Sequence, residues 1–252
     1  MISQLRTIVL ATAMFLCGAG AATAQTATIQ VIHNSPSPAA ASVDIYLNGA
    51  GPAAVGGLGF RQATGLVDLP AGSYTVGIAP GGSSGPGDVI ASFGPYDLAA
   101  GSQTVIMAAG ELGSDFGLFV AGLQTAAPGG QVSVLAFHGA PDAPTVDVAA
   151  LGVGNIFPGL AYLAFQGYLT VPAADYVLTV APAGGSPIAA FDAPLSGLGG
   201  GTAVVFASGY LGASPAFGLF AALNDGTVLA LPANDTVDAE DASWSGFKAA
   251  YR

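Results

Sequence analysis

The sequence predicts an all-β protein built as two tandem immunoglobulin-like antiparallel β-sandwich domains. Three observations carry that prediction. A set of motifs recurs after about a hundred residues, too long a period for a solenoid unit and the right length for a whole sandwich. Within each repeat the apolar segments are short, β-branched or aromatic, and several alternate with small or polar residues. The chain holds 38 glycines and 17 prolines, and they fall in turns spaced roughly as the strands of sandwiches and barrels require.

Residues 1–24 carry one positive charge at Arg6, an apolar run from Thr7 to Cys17, and a small-residue tract ending in Ala22-Thr-Ala24. That order is the pattern of a secretory signal peptide cleaved after Ala24. Leu16 stands where a lipidation signal at Cys17 needs a small residue, so a lipid anchor is not expected. Export places the protein in the secreted, periplasmic or cell-surface space. Cys17 is the only cysteine, so the exported chain must be held by its apolar cores without disulfides.

The first repeat spans 25–125. It opens with Val31-Ile-His-Asn-Ser-Pro-Ser-Pro38 and Val43-Asp-Ile-Tyr46, an apolar strand ending in His33, a Pro-rich turn, and a second strand carrying Asp44. Strands are predicted at Thr28–Ile32, Val43–Leu47, Tyr74–Ile78 and Thr104–Met107, with turns at Asn48-Gly49, Pro70-Ala-Gly72, Gly81-Gly82 and Ala100-Gly101. Seven or eight strands per repeat follow. Thr125-Ala-Ala-Pro-Gly-Gly130 is a short, uncharged, flexible linker that leaves little slack.

The second repeat spans 130–231 and echoes the first: Ala136-Phe-His-Gly-Ala-Pro-Asp-Ala-Pro144 is followed by Val146-Asp-Val148. Leu58-Gly-Phe60 aligns with Leu160-Ala-Tyr162, Leu69-Pro-Ala-Gly-Ser-Tyr74 with Val171-Pro-Ala-Ala-Asp-Tyr176, and Phe116-Gly-Leu-Phe119 with Phe217-Gly-Leu-Phe220. The tail, 232–252, is acidic to Asp241 and then places Trp244, Phe247 and Tyr251 at i, i+3 and i+7, beside Lys248. That spacing makes a short amphipathic segment, read either as a docked terminal helix or as a recognition or sorting tag.

Charge limits the partners. Without the signal peptide, three basic residues, Arg61, Lys248 and Arg252, face fifteen acidic ones, a formal charge of −12. Nucleic acid and anionic membrane surfaces need clustered Lys and Arg and are disfavoured. Beyond the signal peptide no apolar run approaches the roughly 18 residues of a membrane helix. The repeat, the Pro-rich connections and the polar tail argue against a transmembrane barrel.

The joint pattern of an apolar strand, His, a Pro-rich turn, Val-Asp-Val and Val-Pro-Ala-Gly-x-Tyr resembles the bacterial domain of unknown function numbered 4397. Both copies carry it, at His33 through Asp44 and Leu69–Tyr74, and at His138 through Asp147 and Val171–Tyr176. Ser37 replaces the family's usual Asp, which Asp142 keeps in the second copy, and Ala174 replaces the turn glycine. The resemblance implies an extracytoplasmic β-sandwich module repeated on exported bacterial proteins, and it implies no reaction.

His33 and His138 are the only histidines, and each precedes an Asp on the next strand, Asp44 and Asp147. Imidazole and carboxylate suit zinc, but two ligands do not make a site, and Asp142, Asp68 and Glu111 have no repeated counterparts. The alternative is structural: each Asp accepts hydrogen bonds from the Pro-rich turn or from the imidazole and fixes the hairpin. No cofactor or metal is expected. No nucleophile elbow or phosphate loop is present, because the Gly-rich runs lack the required Lys and context.

A non-enzymatic module binding a protein or glycan at the cell surface, or serving an envelope-structural role, fits best, with Tyr46, Tyr96, Tyr168 and Tyr210 as candidate stacking residues. Tyr74 and Tyr176 are expected in the core with their hydroxyls tied to the backbone. The rival is a metal-dependent hydrolase using His138, Asp142 and Asp147.

Overall fold

The structure is a computed structural model and describes residues 25–235. The first half contains β1 (Thr26–Asn34), β2 (Ser42–Leu47), β3 (Ala50–Gly59), β4 (Gln62–Ala63), β5 (Val67–Pro70), β6 (Gly72–Pro80), β7 (Ala91–Leu98), β8 (Gln103–Ala109) and β9 (Gly117–Gly122). The second contains β10 (Gln131–His138), β11 (Val146–Ala150), β12 (Gly154–Leu160), β13 (Phe165–Pro172), β14 (Asp175–Pro182), β15 (Ala189–Pro194), β16 (Thr202–Ser208), β17 (Gly218–Leu223) and β18 (Val228–Ala230). The protein is all-β, as the alternating apolar pattern predicts, with three single-turn 3-10 helices among the described residues.

Each half makes two sheets. In the first, β3-β2-β6-β7 forms an outer sheet, while β1 pairs with β8, β8 with β9, and the short β4 and β5 lie one after the other along the far edge of β1. In the second, β12-β11-β14-β15 forms the outer sheet and β13-β10-β16-β17-β18 the inner one. The unbroken β13 occupies the edge that β4 and β5 share in the first half. Pairing is antiparallel except between β1 and β8 and between β10 and β16. These two pairs are parallel because each joins the start of a half to its end, and the intervening strands supply the long crossover a parallel pair needs.

Side-chain alternation explains the layering. Ile29 and Val31 of β1 point outward against Val43, Ile45, Val76 and Ile78 of the outer sheet, closing the first sandwich core. Val134, Ala136, Val148, Leu178 and Val180 do the same in the second. The intervening residues face the other half: Ile32, Val105 and Met107 pack with Leu135, Phe137, Val204 and Phe206 in a third core, most of it under 4 % exposed. Phe206 and Phe220 stack at 5.7 Å, and Phe137 tilts against Phe165 at 4.6 Å.

The molecule is therefore a four-layer stack with its inner sheets buried on both faces. The segment expected as a flexible linker is held to the second half instead: Ala127 N–H donates to Gly200 O, Asn224 Nδ2 to Thr125 O, and Thr202 Oγ1 to Gln124 O.

Candidate functional site

The parallel inner strands all run toward one end of the stack, so β1, β8, β10 and β16 deliver their C-terminal residues to the same place. His33 is the penultimate residue of β1 and His138 the last of β10. Their rings turn into the sandwich interiors, 0 % and 1 % exposed. Nε2 of His33 lies 2.5 Å from Ala40 O, and Nε2 of His138 lies 2.9 Å from Pro144 O. Nδ1 accepts from Ser35 N–H in the first copy and from Ala140 N–H in the second. A nitrogen facing a carbonyl must donate and one facing an N–H must accept, so this network assigns the same neutral tautomer to both rings. Burial pulls both imidazoles below the usual histidine range. Each ring staples the Pro-rich turn that follows its own strand.

Asp44 and Asp147 perform a second clasp. Asp44 Oδ1 accepts from Gly57 N–H, and Oδ2 accepts from the N–H and hydroxyl of Ser83. Asp147 Oδ1 accepts from Gly159 N–H and Oδ2 from Gly184 N–H. Each carboxylate ties the bulged hairpin partner of its strand to the loop after the next strand. These bonds hold both below the ordinary aspartate range, the Ser83 hydroxyl chiefly for Asp44 and the Gly184 and Gly159 amides for Asp147. No hydrogen bond joins His33 to Asp44 or His138 to Asp147 among the described residues.

The tyrosines are not brought together. Tyr46, 2 % exposed, has its hydroxyl on Ser83 Oγ, so it presents no face for stacking. Tyr96 packs against the first core with a long 3.4 Å bond to Leu118 O. Tyr168 packs against the shared core and accepts from Gln124 N–H. The expectation for Tyr74 and Tyr176 holds in both copies: their hydroxyls donate to Pro70 O at 2.7 Å and Pro172 O at 2.9 Å. Trp244, Phe247, Lys248 and Tyr251 lie outside the described residues.

What the repeat concealed is the seam between the halves. Gly110-Glu111 and Gly209-Tyr210 follow β8 and β16 at equivalent places, and Tyr210 donates to Glu111 Oε1 at 2.6 Å. Burial, then this bond and the charges of Glu111, Asp142 and Asp115, push the Tyr210 phenol up to about 12. Asp142 accepts from Leu211 and Gly212 N–H. Arg61, the one basic side chain among the described residues, crosses from the first half to Ser208 and Ala216 O and lies 4.3 Å over Phe220.

Asn34 donates to Ala207 O, and its equivalent Gly139 has no side chain because a Cβ there would run into Asn34 Nδ2 and Ala207 O. Asp142 and Glu111 had no repeated counterparts for this reason: a seam between two copies is where their symmetry must break. His138, Asp142 and Asp147 are each bonded to different backbone, and no three His, Cys, Asp or Glu side chains among the described residues stand close enough to share a metal.

Fold and bonding together define a β-sandwich protein whose most chemically able side chains brace its own loops. Residues 27–149 match the family described as "Domain of unknown function (DUF4397)", a stretch that takes in nearly all of the first half with β10 and most of β11. No curated protein matches the chain. A solved structure entitled "Alpha-glucan binding by a streptococcal virulence factor" aligns with 73 % of this chain and 93 % of its own at 10 % identity. Its TM-score is 0.24, a likeness too slight to carry an argument.

Proposed function

We propose that the protein is an exported, non-enzymatic module that binds a protein or glycan at the cell surface or outside the cell. The observation that carries this reading is the parallel use of His33 with His138 and of Asp44 with Asp147 as backbone clasps. Imidazoles buried, neutral and bonded at both nitrogens have no lone pair left for a substrate or metal. The same clasps hold the end loops of each sandwich rigid, which is what recognition by loops on a sheet scaffold requires. The formal charge of −12 beyond the signal peptide points away from nucleic acid.

The test is a glycan array combined with pull-down from the native cell surface, run with the full exported chain and with a control lacking 232–252. Saturable capture of a defined glycan or surface protein supports the proposal. Stoichiometric zinc in the purified protein together with ester or amide turnover overturns it in favour of the hydrolase.

A further inference from the structure

Each sandwich encloses an apolar cavity of about 60 Å³ between its two sheets. Every position that lines the first cavity has a repeat-equivalent that lines the second, from β1 and β10 through to β9 and β17. All the paired residues differ except Leu118 and Leu219. The differences compensate: Leu47 is matched by the smaller Ala150, whereas Ala54 and Val55 are matched by the larger Ile156 and Phe157.

Either copy could have closed its void by taking the larger residue at each pair, and closing a dry void normally stabilises a core. Neither has done so. The void survives nearly complete replacement of its walls, which is the behaviour of a site and not of a packing fault.

The walls also say what such a site takes. They are aliphatic and aromatic, and the hydroxyl of Tyr176, beside the second cavity, is spent on Pro172 O. Arg61, the one basic side chain among the described residues, is committed to the seam, so no described side chain offers a cation to an anionic headgroup. Among the lining residues, Val67 of the first cavity is 37 % exposed and Val153 of the second is 58 % exposed, so the wall of each cavity comes closest to solvent there. We infer that each sandwich holds the end of an uncharged hydrocarbon chain, inserted between the sheets past Val67 or Val153. This goes beyond the loop-based reading above and stands or falls separately from it.

The test titrates the full exported chain with 1-octanol and follows the methyl resonances of Ile45 and its equivalent Val148. Saturable shifts at both, absent with 1,8-octanediol, are expected. The variant Ala136→Leu/Ala150→Leu fills the second cavity and weakens the Val148 response at least tenfold, while the Ile45 response, unchanged, reports that the variant is folded. In the reciprocal variant, Ala54→Ile/Val55→Phe, the Ile45 response is lost and the Val148 response kept. No saturable shift at either residue, equal shifts with the diol, or filled variants that respond like the parent would overturn the inference.

Discussion

Tyr210 and Glu111 occupy equivalent positions in the two repeats and meet each other across the seam, the phenol donating to the carboxylate at 2.6 Å. Tyr210→Phe removes a bond to a charged acceptor and is expected to lower unfolding free energy by about 1–2 kcal/mol, measured by urea denaturation. The phenol is raised to about 12 in the folded protein against about 10 in the unfolded chain, so its contribution is whole below pH 10 and is lost as pH climbs toward 12. The variant's stability should therefore fall less steeply over that interval. Tyr162, raised mainly by burial and also by Asp115, keeps the slope from vanishing.

Gly139 and Asn34 form a complementary pair. Gly139→Ala forces a Cβ into Asn34 Nδ2 and the Ala207 carbonyl and should cost about 1–3 kcal/mol. Asn34→Gly in the same chain should return part of that loss, giving a coupling energy well above experimental error in a double-mutant cycle. Strict additivity of the two changes would mean that they do not meet.

Asp44→Asn replaces one of two accepting oxygens with an amide that cannot accept, opposite either Gly57 N–H or the Ser83 groups. A loss of roughly 1–2 kcal/mol is expected. Hydrogen exchange should quicken selectively at the amides of Gly57 and Ser83. Asp147→Asn should act in the same direction at Gly159 and Gly184.

Acid should weaken the fold in two stages. Burial holds His33 and His138 below the unfolded value near 6.5, so the unfolded chain takes up protons first and stability declines as pH drops below that value. Asp44 and Asp147, depressed by their hydrogen bonds, add a second decline below about 3.8. Urea midpoints against pH should resolve both stages, and His138→Gln should remove about half of the first. A midpoint flat from pH 7 to pH 4 would contradict two rings held neutral by burial.

The sandwich strands and the Tyr74 and Tyr176 hydroxyl bonds were legible because both are local, whereas Asp44 and Asp147 bond not to the Pro-rich turn or the imidazole, as expected, but to Ser83 and Gly184 on loops far along the chain. His-turn-Asp spacing and Pro-x-x-x-Tyr spacing are set by short-range geometry, and two copies of each doubled the signal. The four-layer stack was harder to read. Its mark is the near-continuous apolar run of Thr104-Val-Ile-Met107 and Val134-Leu-Ala-Phe137, which a strand buried on both faces shows and a strand with one solvent face does not. Glu111 and Tyr210 look unrelated in an alignment of the repeats because one is the partner of the other. Arg61 had a visible sign in being the only basic residue between the signal peptide and the tail. Tyr46 misled because its placement on a strand next to a loop does not tell which face it takes, and it takes the buried one.

The most direct measurement is titration of the His33 and His138 Cε1 protons by NMR, with and without one equivalent of zinc per site. Because these are the only two histidines, the signals are unambiguous. Rings that act as backbone staples should stay neutral well below pH 6.5 and should not move when zinc is added. Two rings that titrate near 6.5 and shift or broaden with stoichiometric zinc would show that they face a ligand, and the account of a braced, non-catalytic module would be wrong.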